Sequence, residues 1–154
     1  MKLFRATWCF MVLLLSFVVF ALVPVTYAEP GLHSDLTAIS GQGTGHVNVS
    51  PTAHDEHDTV FIAQVTVNVQ GARPNTTFTV TRFVDVPADG ICTELGGGLT
   101  LGTLTTSQGG AGASHFVRVA PGPSPKGDQF DLDFHVVGDD GTVLLSGCMT
   151  VTTK

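Results

Sequence analysis

From Thr59 to Val69 the chain alternates, with Phe61, Ala63, Val65, Val67 and Val69 on one parity and polar residues such as Gln64, Thr66 and Asn68 on the other. Successive side chains of a strand point to opposite faces, so a period of two predicts a strand with one buried face. Thr76 to Val86 repeats the pattern: Phe78, Val80 and Arg82 fall opposite Thr77, Thr79, Thr81 and Phe83. Between the two runs, Gln70-Gly71-Ala72-Arg73-Pro74-Asn75 is rich in turn formers, which predicts an antiparallel pairing of these strands across the loop. Further strands are expected at Leu36 to Ser40, Gly45 to Ser50, Leu99 to Thr105, Ser114 to Val119, Phe130 to Val137 and Thr142 to Thr152, eight in all. In the seventh, Phe130, Leu132, Phe134 and Val136 read as the core face, and Asp131, Asp133, His135 and Val137 as the wet one. Gly138-Asp139-Asp140-Gly141 suits a hairpin turn and makes the last two strands neighbours.

From His33 onward no stretch carries apolar residues at helical spacing. Short strands rich in Thr and Val, separated by Gly and Pro clusters, predict an all-β chain folded as an antiparallel β-sandwich. Two connectors are long: Asp85 to Gly98, which holds Cys92, and Ser107 to Ala113. Pro121-Gly122-Pro123-Ser124-Pro125 reads as a stiff bend.

The N-terminus is different in kind. Lys2 and Arg5 precede an apolar run from Phe10 to Val25, and Thr26-Tyr27-Ala28 offers small residues around a cut before Glu29. This is the layout of a secretory signal over residues 1–28, with residues 29–154 as a single folded domain. The competing reading is a retained anchor, because the uncharged stretch from Ala6 to Ala28 is long enough to span roughly 30 Å of hydrocarbon. Pro24 near the end of the run favours cleavage. Cys9 lies inside the run, which does not suit a lipid-modified cysteine at the mature terminus. The expected address is secreted or extracytoplasmic, with membrane contact only if this segment is retained.

An exported product of 126 residues keeps two cysteines, Cys92 and Cys148. In an oxidising compartment one disulfide is the natural reading, with two free thiols or half of a metal site as alternatives. Closing a loop of that length stabilises by about 4 kcal/mol in the chain-entropy model.

The stretches Gly71-Ala72-Arg73-Pro74-Asn75-Thr76-Thr77-Phe78-Thr79-Val80, Gly109-Gly110-Ala111-Gly112-Ala113 and Asp140-Gly141-Thr142-Val143-Leu144 resemble small secreted bacterial β-sandwich proteins of unassigned function, immunoglobulin-like in outline. The resemblance spans most of residues 40–154 and rests on turns and strands. It implies a fold and an extracytoplasmic address, and carries over no functional residues. The core Trp and corner Tyr of antibody-type domains are missing, since Trp8 and Tyr27 both lie in the leader.

Candidate chemistry is sparse. His54-Asp55-Glu56-His57-Asp58 is the densest group of metal-ligand types, so His54, His57 and Asp58 are the candidate metal ligands. On a strand His54 and His57 face opposite sides, and the competing reading is a solvated acidic loop. The row Asp131, Asp133 and His135 could orient a ligand, against the simpler reading of a polar outer face. His115 shares parity with Val117 and Val119, which predicts a hydrogen-bonded histidine at the core edge. A blue-copper set is rejected, because Cys148 and Met149 are adjacent and point apart on a strand. No Gly-x-Ser-x-Gly elbow occurs, the Gly-rich tracts lack a phosphate-binding Lys-Ser/Thr, and Asp139-Asp140-Gly141 lacks a full calcium loop. Asn75-Thr76-Thr77 and Asn48-Val49-Ser50 match glycosylation acceptors and read as turn and strand residues in a bacterial chain.

Past the leader, 13 acidic side chains face five basic ones, a net charge of −8 with His neutral, which disfavours nucleic acid. Aromatic platforms for sugars or single strands are also disfavoured, with six Phe as the sole aromatics of the exported chain. These readings converge on a non-enzymatic secreted module without a cofactor, binding an unidentified protein or cell-envelope ligand through its long loops or a sheet edge. The alternative is an extracytoplasmic metal-binding protein using His54, His57 and nearby carboxylates.

Overall fold

The computed structural model describes residues 32–52, 61–93, 97–119 and 125–153. All of them belong to one compact unit, Gly31–Lys154. Its nine strands are β1 (Leu32–Ser40), β2 (Thr44–Thr52), β3 (Ile62–Gln70), β4 (Thr77–Asp85), β5 (Leu99–Thr105), β6 (Gly112–Val119), β7 (Gln129–Gly138), β8 (Val143–Ser146) and β9 (Met149–Thr152). All pairings are antiparallel. The single strand expected over Thr142–Thr152 is interrupted at Gly147-Cys148, where the Ser146 hydroxyl accepts the Phe134 amide at 2.8 Å in place of a backbone partner.

The hydrogen-bonded order is β5-β4-β7-β8-β1-β2-β3-β6, with β9 continuing beyond β8 along β7. It is one continuous sheet, rolled nearly into a barrel rather than divided into two separate layers. The hairpin expected at Gly138–Gly141 forms, with Val137 opposite Val143. The pairing expected between the strands here called β3 and β4 does not. β3 lies between β2 and β6, and β4 between β5 and β7. Their connector crosses between the two halves of the path because its backbone is satisfied elsewhere: Ala72 N donates to Gly110 O at 3.1 Å and Asn75 N to Thr106 O at 3.1 Å. Thr106 Oγ1 accepts from Thr76 N at 3.0 Å and donates to Arg73 O at 2.7 Å.

These bonds bind one end of the roll together. There the edges β5 and β6 meet: a Cβ on Gly112 would lie 2.8 Å from Thr105 O, and one on Gly102 would lie 2.7 Å from the Phe116 ring. Gly102, at φ 155°, leaves room for that ring and follows a bulge at Leu101. Below the seam the core is tightly filled, with Phe78, Val80, Phe134, Val136 and Leu144 fully buried. Among the described residues no strand pairing joins β5 to β6, and the seam is made by these close contacts and the turn bonds.

The cysteines join as expected: Cys92 and Cys148 form a disulfide with Cα atoms 5.5 Å apart. It ties the segment after β4 to the break between β8 and β9 and suits an oxidising compartment.

Two outcomes test this arrangement. Reduction, or Cys92→Ala with Cys148→Ala, is expected to lower the unfolding free energy by about 2–5 kcal/mol in urea melts. Gly102→Ala is expected to cost about 1–3 kcal/mol, and less in a Phe116→Leu background, as a double-mutant cycle would measure. Equal costs in both backgrounds would contradict the seam.

Candidate functional site

Along β4 the inward residues run Phe78, Val80, Arg82, Val84, and along β6 they run Ser114, Phe116, Arg118. Burial falls off along β4, from completely buried Phe78 and Val80 to half-buried Arg82, whereas the inward residues of β6 are all half-buried. The parity expected for β6 is thus reversed. Val117 is 62% exposed and Val119 49%, and His115 on their face bonds Thr66 Oγ1 at 3.0 Å on the outside of the sheet. The inward face of β6 is instead set by Phe116, which must cover Gly102, and this carries Arg118 inside with it.

At this wider end the described residues line a partly open cavity of about 430 Å³. Its wall is apolar, built from residues such as Phe61, Val65, Leu99, Phe130, Leu132 and Val151. Its charged members are Arg82 and Arg118. Arg82 pairs across the sheet with Leu99 on one side and Phe134 on the other, while Arg118 lies opposite Ala63. Among the described residues neither guanidinium has an ion-pair partner, and both Nε atoms are buried without a hydrogen-bond acceptor. Burial, and then the nearby charge of Arg118, push the Arg82 pKa below its usual value. Even so, a guanidinium stays protonated in proteins. A buried donor without an acceptor costs about 1–3 kcal/mol, so this end of the molecule gives up stability that the packed end does not.

One rim of the cavity is the segment from Val86 to Thr93. Val86 is 74% exposed yet contributes to the cavity wall. The segment is held down at several points. Asp85 Oδ2 accepts from the Thr93 hydroxyl at 2.6 Å and from its amide, and Asp131 accepts from Gly90 N at 2.6 Å and from Thr150 Oγ1 at 2.6 Å. The disulfide adds a covalent tie at Cys92. The outer face of β7 is accordingly not the wet face the alternation suggested: Asp131 is wholly buried and Asp133 8% exposed. His135 Nε2 lies 3.2 Å from Asp133 Oδ2, and the His135 ring packs 4.4 Å from Phe83. Asp131 is therefore an anchor for the rim, with Asp133 and His135 beside it on the same covered face.

His54, His57 and Asp58 lie outside the described residues. Among the described residues no group of three or more His, Cys, Asp or Glu is placed to hold a metal. The other histidines belong to a polar ladder outside β1, β2, β3 and β6, in which His33 Nδ1 meets Asn48 Oδ1 at 2.9 Å and His46 Nε2 meets Asn68 Nδ2 at 2.9 Å. The Asn48 contact, with help from Asp35, raises the His33 pKa. Sequence reasoning placed Arg82 on the core face without building on it, and missed Arg118. The available signal was the parity of Phe116: once that ring is inside, Arg118 must follow.

The carboxylates fixing the rim make it sensitive to acid. The Thr150 hydroxyl, then the loop amides, hold the Asp131 pKa below the ordinary carboxylate value, and Thr93 does the same for Asp85. A lowered folded-state pKa adds stability that is present above the unfolded value of about 4 and is lost as pH falls through the folded value. Thermal melts are thus expected to be flat from about pH 7 to 5 and to drop below about pH 4. Asp131→Asn is expected to flatten that drop and to speed amide exchange at Gly90. A variant with the wild-type acid slope and wild-type exchange would contradict the anchor.

Compared with known proteins, the chain matches no family model, no curated protein and no solved structure.

Proposed function

We propose that this chain is a secreted, non-enzymatic binding module whose ligand is a small, largely apolar molecule held at the wider end of the barrel. One observation carries the reading. The core is filled around Phe78 and Phe134 at one end, while at the other a partly open pocket of about 430 Å³ lies between the strands. Protein interiors normally pack as densely as organic crystals, so a pocket lined by the inward faces of several strands reflects their arrangement rather than general looseness. Its size lies within the roughly 300–1,000 Å³ common to small-molecule sites, and its wall is mainly apolar with a few polar groups, as in such sites. A rim tied by the disulfide and two aspartates supports the same reading, since a preformed site loses less entropy on binding. The exported address follows from the leader pattern and the disulfide. The immunoglobulin-like outline belongs to this proposal too, with β6-β3-β2-β1 and β5-β4-β7-β8 as its two faces.

The test is saturable binding of a neutral apolar dye. Nile red is expected to bind the purified protein at one site with increased fluorescence. Val84→Trp, which puts an indole into the cavity, is expected to weaken binding by about tenfold or more, equivalent to about 1.4 kcal/mol. The exported chain has no tryptophan of its own, so emission from the introduced indole would also report directly on the cavity. Undiminished dye binding by a folded Val84→Trp protein would refute the reading.

A further inference from the structure

The binding reading leaves the two interior arginines unexplained. Two like charges on one apolar wall repel each other, and eight acidic residues lie among the described residues. Among the described residues none of those carboxylates reaches either guanidinium, and both Nε atoms lack an acceptor. Arg73 shows the contrast: on the surface it meets Asp140 Oδ2 at 3.6 Å. A structural arginine ordinarily finds such a partner, because burying an unpaired charge is costly. Guanidinium is suited to oxyanions, offering N–H donors in a planar fork that matches carboxylate and phosphate oxygens.

Resting on the cavity reading, we propose that the ligand is a single-chain anionic amphiphile, its oxyanion head held between Arg82 and Arg118 and its hydrocarbon chain lying along the apolar wall. The head is a carboxylate or a phosphate monoester, the two groups that present adjacent oxygens to a pair of guanidiniums. The tail meets Val84, Leu99 and Phe130, the half-buried apolar residues of the wall, none of which offers a side-chain polar atom. Both halves of the ligand are needed. The head alone would leave the apolar wall unused, and the tail alone would leave two half-buried cations without a counter-charge. Net charge works against long-range attraction of anions, because the exported chain is acidic. Selectivity therefore comes from contact inside the cavity rather than from steering.

The experiment displaces Nile red from the purified protein with five probes held below their micelle concentrations: dodecanoate, dodecyl phosphate, dodecanol, dodecylammonium and acetate. Dodecanoate or dodecyl phosphate is expected to compete at least about tenfold more tightly than dodecanol, a difference of about 1.4 kcal/mol, with dodecylammonium and acetate weaker still. The tighter of the two anions identifies the head group. Arg82→Met and Arg118→Met are each expected to weaken the anion about tenfold or more while leaving dodecanol within about twofold. Should either variant fail to fold, the comparison of dodecanoate with dodecylammonium on the unaltered protein decides the matter alone. Equal competition by dodecanol and both anions would overturn the oxyanion assignment and leave the cavity reading standing. Failure of Nile red and every probe to bind would overturn both.

Discussion

The ring of Phe116 resting on Gly102 is the contact on which the rest of this structure depends. It brings the two free edges of a nine-stranded path together at one end, beside the turn that links them. It also fixes which face of β6 points inward. With Phe116 inside, Ser114 and Arg118 are inside as well, while His115, Val117 and Val119 face outward. A closing contact in the wall therefore also places a charge in the interior.

The consequence is a molecule with unlike ends. At the packed end the connector from Gly71 to Thr76 is satisfied by the turn from Thr106 to Ala111, so backbone polar groups are bonded and the core is full. At the wider end the inward positions include Arg82 and Arg118, which line the cavity together with apolar residues. The rim beside it is held by Asp85, Asp131 and a disulfide, all drawn from segments far apart in sequence.

Strand identity was legible in the sequence, because burying one face of a sheet enforces a period of two. Phe61, Ala63, Val65, Val67 and Val69 are all buried, as their alternation requires, and Leu99–Thr105 is bounded as expected. The disulfide was legible from a cysteine count. Strand partners were less so. Gly71 and Pro74 announce a turn, but a turn signal does not say which edge the chain joins next, and here long-range bonds to Gly110 and Thr106 decided it. Solvent exposure failed at Asp131 for a related reason: alternation assigns a face and is blind to a loop folding over it. Arg118 stayed hidden because the apolar pair Val117 and Val119 suggested the opposite parity, and an edge strand bears exposed valines without penalty when its inner face is already filled.

The most direct measurement is the Nε–H spectrum of the arginine side chains during titration with dodecanoate. Arg73, on the surface beside Asp140, serves as an internal reference. The account predicts that the Arg82 and Arg118 signals move together and saturate at one ligand per chain while Arg73 stays fixed. Signals at Arg82 and Arg118 that do not respond, or that shift no more than Arg73, would contradict it.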